Sequence, residues 1–575
     1  MKRSFPFTFI AMSAIFFLTA GCSKKTSLQL SDGIFSGTGA GRNGPIQVVI
    51  TVSEGEISDA RITKQDETPD IANPAEQSIL KQFLKSGGET SKIDAVSGAT
   101  ITSEGVLEAL NSAVDTSLGI IKSKTSYNDT ETDIVIIGAG GAGLAAATQA
   151  ASMGAKVIVL EKNGFVGGNT SSSTGGINAS ETKVQKHLNI FDTNEQFIKD
   201  TMSGGHYKND EALVHTLVES SASVIDWLQS GLIGADLSDV GIMAGSTNKR
   251  THRPLGGQAI GSHLVPKLYA AAKNAGAEIR LGNGVTDIIA ENKIPSGVRI
   301  HNQAGDYTIK AKAIIITTGG FGANAGLIGK YRPELQNYPT TNVKTAQGDA
   351  FTWIEKFDGA LVSMEEIQTH PSVVKGQGIL ITEAVRGNGA IMINHQGKRF
   401  VNELDVRDAT SKAVLALPEK SAWIFFNQAV RESLKAVEDY VRAGLLIQGD
   451  TIEEIAGKLE IDPDNLESTI AIYNQFQMFG QDKEFGRPNM AVSLAKGPYY
   501  AVEIEPAIHH TMGGIKINTK AQVLNKTGEV IPHLYAAGEV TGGIHGDNRL
   551  GGNAVADICV FGKIAAESAV EQISK

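Results

Sequence analysis

Asp133-Ile134-Val135-Ile136-Ile137-Gly138-Ala139-Gly140-Gly141-Ala142-Gly143 is the most instructive stretch of this chain. Its first five residues form an apolar run of strand type. Gly138, Gly140 and Gly143 then fill the three glycine positions of G-x-G-x-x-G. The first two permit a tight turn and a close approach of backbone to a pyrophosphate, and the third lets the next helix pack on the strand. Residues 142–150 are rich in alanine, a strong helix former. The start of that helix offers unpaired N–H groups and partial positive charge to phosphates. Residues 155–160 read as a second strand ending at Glu161, where the fingerprint places a ribose-binding carboxylate. Strand, turn, helix, strand and acid together predict a nucleotide site in an α/β domain.

The rest of the sequence limits what that domain serves. At 575 residues the chain has room for three or four domains. A net charge of −10 argues against nucleic acid as a partner, so any local cluster of Arg and His opposes its background. Met1-Lys2-Arg3 is a basic head, residues 5–17 are mostly apolar, and Leu18-Thr19-Ala20-Gly21-Cys22 follows. This is the plan of a signal peptide over residues 1–21. Its ending resembles a bacterial lipobox, which implies cleavage before Cys22 and lipidation of that cysteine. The alternative is an uncleaved membrane anchor, although the apolar stretch is short and broken by Pro6. Ser23 after the cysteine, rather than Asp, favours the outer membrane within that resemblance. The other cysteine is Cys559, so a lipidated Cys22 leaves no intrachain disulfide. There is no C-x-x-C-H for haem and no cysteine set for an iron–sulfur cluster. No metal ligands are expected.

Residues 22–32 read as a tether, 33–120 as a small domain with both strand and helix, and 121–130 as a polar linker. Within the small domain, residues 44–52 have strand propensity and residues 103–114 carry apolar side chains at helical spacing. Gly44-Pro45-Ile46, Glu67-Thr68-Pro69 and Asp94-Ala95-Val96-Ser97-Gly98-Ala99-Thr100 resemble the FMN-binding domain of sodium-pumping quinone reductases and related periplasmic flavoproteins. The resemblance implies FMN held covalently through a phosphoester on the last threonine of the motif, Thr100, and placed there by a separate flavin transferase. Thr102 and Ser103 are the neighbouring hydroxyls with which Thr100 is most easily confused.

From Glu131 onward the chain resembles the FAD-dependent fumarate reductase and succinate dehydrogenase flavoproteins, most of all the periplasmic flavocytochrome c type. The recurring elements are Gly167-Gly168-Asn169-Thr170, Thr174-Gly175-Gly176, Thr317-Thr318-Gly319-Gly320-Phe321 and Ala537-Gly538-Glu539-Val540. The resemblance implies a Rossmann-like FAD-binding domain over residues 131–364 and 511–575, with an α+β capping, or clamp, domain inserted at 365–510. It implies noncovalent FAD, with Asn169, Thr170, Gly175 and Gly176 along the isoalloxazine and Glu539 at another polar part. The flavocytochromes carry a haem domain in front, where this chain carries the FMN-type domain. That layout also occurs in urocanate reductase and in reductases of other unsaturated acids, so layout leaves the substrate open.

A reductase of fumarate must clamp two carboxylates and supply a hydride on one face and a proton on the other. Arg suits carboxylates because its guanidinium fork is bidentate and permanently charged. The family positions hold His370, Thr382, Glu383, Arg386, Arg407, His509, His510 and Arg549. The resemblance implies that His370, Thr382, Arg549 and one histidine of the 509/510 pair bind the substrate; spacing to Arg549 favours His509. It makes Arg407 the proton donor, fed through Glu383 and Arg386, with hydride from FAD N5. A guanidinium acid is unusual and requires immediate reprotonation through that relay. The expectation is therefore a lipid-anchored, periplasm-facing fumarate reductase drawing electrons from a cytochrome or quinol oxidoreductase. Alternatives are a reductase of urocanate, acrylate, methacrylate or a cinnamate, or a noncatalytic electron-carrier lipoprotein.

Overall fold

Alternation of buried and exposed side chains builds the first domain. In Pro45–Ser53, Ile46, Val48, Ile50 and Val52 are buried while Pro45, Gln47 and Ser53 face out. The computed structural model describes residues 30–575 except 66, 68, 97–98 and 119–125. Cys22 and the leader at 1–21 thus lie outside the described residues, as does half of the expected linker. Pro45–Ser53 is the centre of a three-stranded antiparallel sheet, between Gly33–Ala40 and Glu56–Lys64. Helices Pro69–Lys85 and Thr100–Ser117 contribute Ile79, Phe83, Val106, Ala109, Leu110 and Ala113 to the core beneath it. The strand Gly33–Ala40 lies directly on a helix backbone: a Cβ at Gly37 or Gly39 would come within 2.0 Å of the carbonyls of Ala109 or Gly105. The second helix starts at Thr100, earlier than the 103 marked by apolar spacing. Its N-cap is Ala99, which has no capping side chain.

The apolar run at 133–137 lies inside the strand Thr130–Ile137 of an eight-stranded sheet. It pairs in parallel with Val157–Glu161 on one side and Gly305–Ile316 on the other. Glu278–Leu281 extends the sheet beyond Val157–Glu161. Gly305–Ile316 also pairs with Ile294–Asn302, antiparallel, and with Val530–Ala536, parallel. Late sequence therefore returns to the sheet that early sequence began. Helix Gly141–Ser152 follows the glycine turn, and the final helix, Asn553–Ile573, shares its core. Strands buried on both faces read as continuous apolar runs, which is why Ile134, Val135, Ile136, Ile314, Ile315 and Ile316 are all fully buried.

Between these halves lies an insertion with its own five-stranded sheet, all antiparallel. Tyr499–Thr511 lies between Ile367–Val374 and Ala422–Asn427 and also takes Ile447–Gly449; Ile391–Ile393 adds to Ala422–Asn427. Alternate residues feed opposite faces: Met392, Ile424 and Phe426 pack on one side, and Ile391, Ile393 and Phe425 join Leu466 and Tyr473 on the other. A short ladder of Leu361–Val362 with Gly514–Ile515 closes the base where the chain enters and leaves the insertion. The small domain meets the larger one at Ala40, whose Cβ would lie 2.3 Å from a Cβ placed on Gly164. Tyr127, after the undescribed segment, stacks on Tyr307 and on the Arg280 guanidinium. Among the described residues no helix is long and apolar enough to cross a membrane.

Candidate active site

The glycine turn opens on a cleft at the ends of the parallel strands, of about 830 Å³ with its mouth included. Each fingerprint glycine has its own reason. Gly138 has φ +106°, a left-handed conformation. A Cβ on Gly140 would meet nothing closer than 4.0 Å, and this residue faces the cleft. A Cβ on Gly143 would stand 1.9 Å from the Gly138 carbonyl, so helix and turn could not close. Gly138, Gly140, Glu161, Asn169, Thr170, Gly319 and Glu539 all line the cleft. Glu161 accepts from the Ala139 amide (2.9 Å) and the Asn163 amide (2.8 Å). Burial pushes its carboxyl up against those bonds. Thr318 also lines the cleft, with its buried hydroxyl unpartnered among the described residues. The cleft's size and amide-lined turn fit a dinucleotide. Gly143, Gly175 and Gly176 do not line it. A Cβ on Gly176 would come within 2.5 Å of the His252 carbonyl, and one on Gly175 would reach Met243 at 3.4 Å.

Glu539 joins the cleft to the second cluster. It accepts from the Thr511 amide (3.1 Å) and from Asn169 (3.3 Å), and it lies 3.6 Å from His510 Nδ1. His509 and His510 are adjacent on one strand, so a regular strand would send them to opposite faces. A bulge governs this position: Thr369 pairs with Ile508, Gln368 with His510, and His509 is extra. His509 bonds Thr341 Oγ1 (2.8 Å) and sets its ring 5.1 Å from that of His370, edge to face. His510 instead faces Glu539 and the ring of His545, at 5.6 Å.

Thr382 caps the short helix Glu383–Gly387, which places Glu383 and Arg386 one turn apart. The Thr382 amide donates to the Tyr440 hydroxyl (2.9 Å). Glu383 accepts from Arg407 Nε in a short hydrogen bond and lies 3.3 Å from His370 Nε2, off line for a hydrogen bond. A small cavity touches Glu383, Arg407, Asn548, Arg549 and Gly551. Arg549 donates to the Leu550 carbonyl (3.2 Å), and its buried Nε has no partner among the described residues.

Burial and like charge set the electrostatics. Burial pushes the Glu383 carboxyl up, but Arg407, His370 and Arg386 outweigh it and hold the group well below the usual range. Burial lowers His370 to about 3, despite Glu383, and takes His509 and His510 well below their ordinary value. Arg549 is pushed down to about 9, by burial and then by Arg407. Arg386, Arg407 and Arg549 against Glu383 leave surplus positive charge in a desolvated place, the setting in which an anion gains most.

Sequence reading missed Gln368 as a site residue. It accepts from Arg407 (3.3 Å) while donating to Asn548 (2.7 Å) and to the Arg549 carbonyl (2.9 Å), and so ties the Arg407 side chain to the main chain at Arg549. Its place two residues before His370, on the same face of a strand, was the available signal. In the small domain the three candidate hydroxyls differ in access. Thr100 is exposed at the helix start, Thr102 is buried in a short hydrogen bond to Glu67, and buried Ser103 accepts from the Val96 amide (3.0 Å).

A Rossmann-like dinucleotide cleft leading to a cationic acid–base cluster defines an FAD-dependent oxidoreductase. Residues 133–555 match the FAD binding domain family and residues 41–115 the FMN-binding domain family. A fumarate reductase (cytochrome) of Shewanella frigidimarina is 44% identical over 77% of this chain and 78% of that protein. A urocanate reductase of Eggerthella lenta is 32% identical over 93% of this chain and 92% of its own. The open conformation of a flavocytochrome c3 fumarate reductase superposes with a TM-score of 0.68 at 41% identity, covering 78% of this chain and 79% of that one. This chain belongs to the fumarate reductase family of FAD-binding flavoproteins, with an FMN-binding domain in front.

Proposed function

We propose that the protein reduces fumarate to succinate on the periplasmic side of a bacterial membrane. The observation that carries the substrate is a pair of guanidiniums at one cavity, part-buried Arg407 and buried Arg549, with Arg549 making no ion pair among the described residues. Burial and repulsion from the neighbouring Arg407 both weaken the Arg549 cation, and an anion bound between the two would relieve it. A dianion with a carboxylate at each end relieves that repulsion better than a monocarboxylate. Arg549, His370, Thr382 and His509 bind the carboxylates in this reading, with His509 rather than His510 because the bulge turns it toward His370. Arg407 gives its proton to the carbon that gathers negative charge, and Glu383, bonded to Arg407, returns one from Arg386. Glu383 is held ionised by its neighbours, so it passes a proton on without keeping it. Bound flavins supply electron transfer through FMN and hydride delivery from FAD.

The FMN is attached to Thr100 by a flavin transferase, since Thr100 alone of the three hydroxyls is exposed. Residues 1–21 are removed and Cys22 is lipidated, with the outer membrane favoured, and a cytochrome or quinol oxidoreductase supplies electrons. A second reading, reduction of another enoate such as urocanate or acrylate, draws on relatives that cover 93% and 95% of this chain. Binding separates the two. Fumarate and succinate should bind at least about 30-fold more tightly than acrylate or urocanate, because a buried guanidinium left unpaired costs several kcal/mol. Equal or tighter binding of urocanate, followed by flavin absorbance, would sink the dicarboxylate reading.

A further inference from the structure

Behind the relay lies a second group of buried charges with no part in the reading above. Glu403 is fully buried. Its carboxylate accepts both arms of Arg399 (2.8 and 2.9 Å), Arg487 (3.2 Å) and the Met392 amide (3.2 Å). Arg399 reaches on to Asp482 (2.8 Å). Arg487 also donates to the carbonyls of Ala390 (2.8 Å), Asn489 (2.7 Å) and Arg386 (2.6 Å). The Arg386 guanidinium donates in turn to the Glu403 carbonyl (2.6 Å), and its Nε has no partner among the described residues.

Arg386 is thus held at both ends by this group: its carbonyl by Arg487, its side chain by the main chain of Glu403. Glu403 also stands four residues before Arg407, at the start of helix Arg407–Leu415. One short segment therefore holds Arg386 at one end and presents Arg407 to Glu383 at the other. Buried ion pairs are a weak source of stability, because desolvation roughly cancels attraction. Their place beside the relay calls for another account.

We propose that Glu403, clasped by Arg399 and Arg487, is a positioning residue that fixes Arg386 as the outer member of the proton relay and keeps it charged. The proposal rests on the relay reading given above. The charged groups facing Arg386 are Glu383, Arg407, Glu403 and Arg487, with Arg399 and Asp482 one layer out. Burial lowers Arg386 most; Glu383 and Glu403 raise it, and Arg407 and Arg487 lower it further. Removing the Glu403 charge should therefore make Arg386 lose its proton more easily. Removing the Arg399 charge should leave Glu403 less neutralised and act in the opposite sense.

The test is steady-state fumarate reduction by the full-length holoenzyme with a reduced dye, at pH 7 and pH 9, with bound FAD confirmed by absorbance. In Glu403→Gln the alkaline limb of the kcat profile should move to lower pH, so that the ratio of kcat at pH 9 to kcat at pH 7 falls below that of the native enzyme, with KM little changed. In Arg399→Gln the ratio should hold or rise, although both variants lose thermal stability. A merely structural role would move both ratios alike, and that result overturns the proposal, as does a native ratio in Glu403→Gln. If Glu403→Gln does not fold, Arg399→Gln decides alone: a held or raised ratio supports the proposal and a fall overturns it. A native enzyme that leaves fumarate unreduced sinks the substrate reading instead, and the same ratios are then read with the enoate it does reduce.

Discussion

Arg407 and Arg549 touch the same cavity but have different surroundings, and in the proposed function this separates their roles. Arg407 is bonded to Glu383 and Gln368, inside a chain that can resupply a proton. Arg549 has a carbonyl for a partner and an unpaired Nε, as a carboxylate-binding group requires. Arg407→Ala should lower kcat by about 10²–10⁴ as general acid catalysis is lost, with a smaller change in KM. Lysine at 407 should restore part of the rate, because it keeps a charge and can release a proton. Arg549→Met should chiefly raise KM, since its contact exists in the ground state as well. Steady-state kinetics with a dye donor would measure both. An Arg407→Ala enzyme keeping a tenth of native kcat would remove the proton-donor role. Of these residues, the sequence shows identity and order. It does not show Gln368 between the two arginines or the partners of Glu403, because those contacts join segments far apart in the chain.

At the scale of elements, what was legible had a local cause. The strand, glycine turn and helix at 130–152 could be read because the apolar run, the glycine spacing and the alanine-rich run are contiguous in the chain. The bulge at His509 could not, because it arises from pairing with Ile367–Val374, a strand more than a hundred residues earlier. The helix extends three residues ahead of the apolar spacing at 103–114, because its start at Thr100 has no capping side chain at Ala99 to mark it in the sequence. Buried histidines on such elements give the fold an acid limit. His252, in the strand Thr251–Arg253, is lowered by burial from 6.5 to about 4, and bonds Thr182 and the Arg250 carbonyl. Between those two values the unfolded chain binds the proton and the folded one does not, so stability is complete above the unfolded value and falls as pH drops. At pH 5 this costs about 2 kcal/mol per such histidine. Urea midpoints should decline from pH 7 to pH 5, and His252→Gln should decline less steeply. An equal slope in the variant would show that His252 does not contribute.

Across the whole molecule, a chain of net charge −10 concentrates positive charge at one buried place and carries an FMN-binding domain ahead of the FAD-binding domain. In the proposed function that arrangement divides electron entry from chemistry. Thr100→Ala should abolish the FMN adduct on the peptide containing residue 100, by mass analysis after coexpression with a flavin transferase. It should stop turnover with the physiological donor and spare most turnover with a small dye that reduces FAD directly. An adduct retained on Thr102 would contradict the assignment, and with it the view that exposure selects the hydroxyl.

The central claim is the substrate. Its most direct measurement is kcat/KM for fumarate, urocanate, acrylate, methacrylate and a cinnamate, with one reduced dye as donor and the holoenzyme at fixed pH. The two guanidiniums at one cavity predict fumarate ahead of every monocarboxylate by about 10² or more, the loss expected when buried Arg549 is left without its carboxylate. Urocanate or acrylate at or above the value for fumarate would contradict the account.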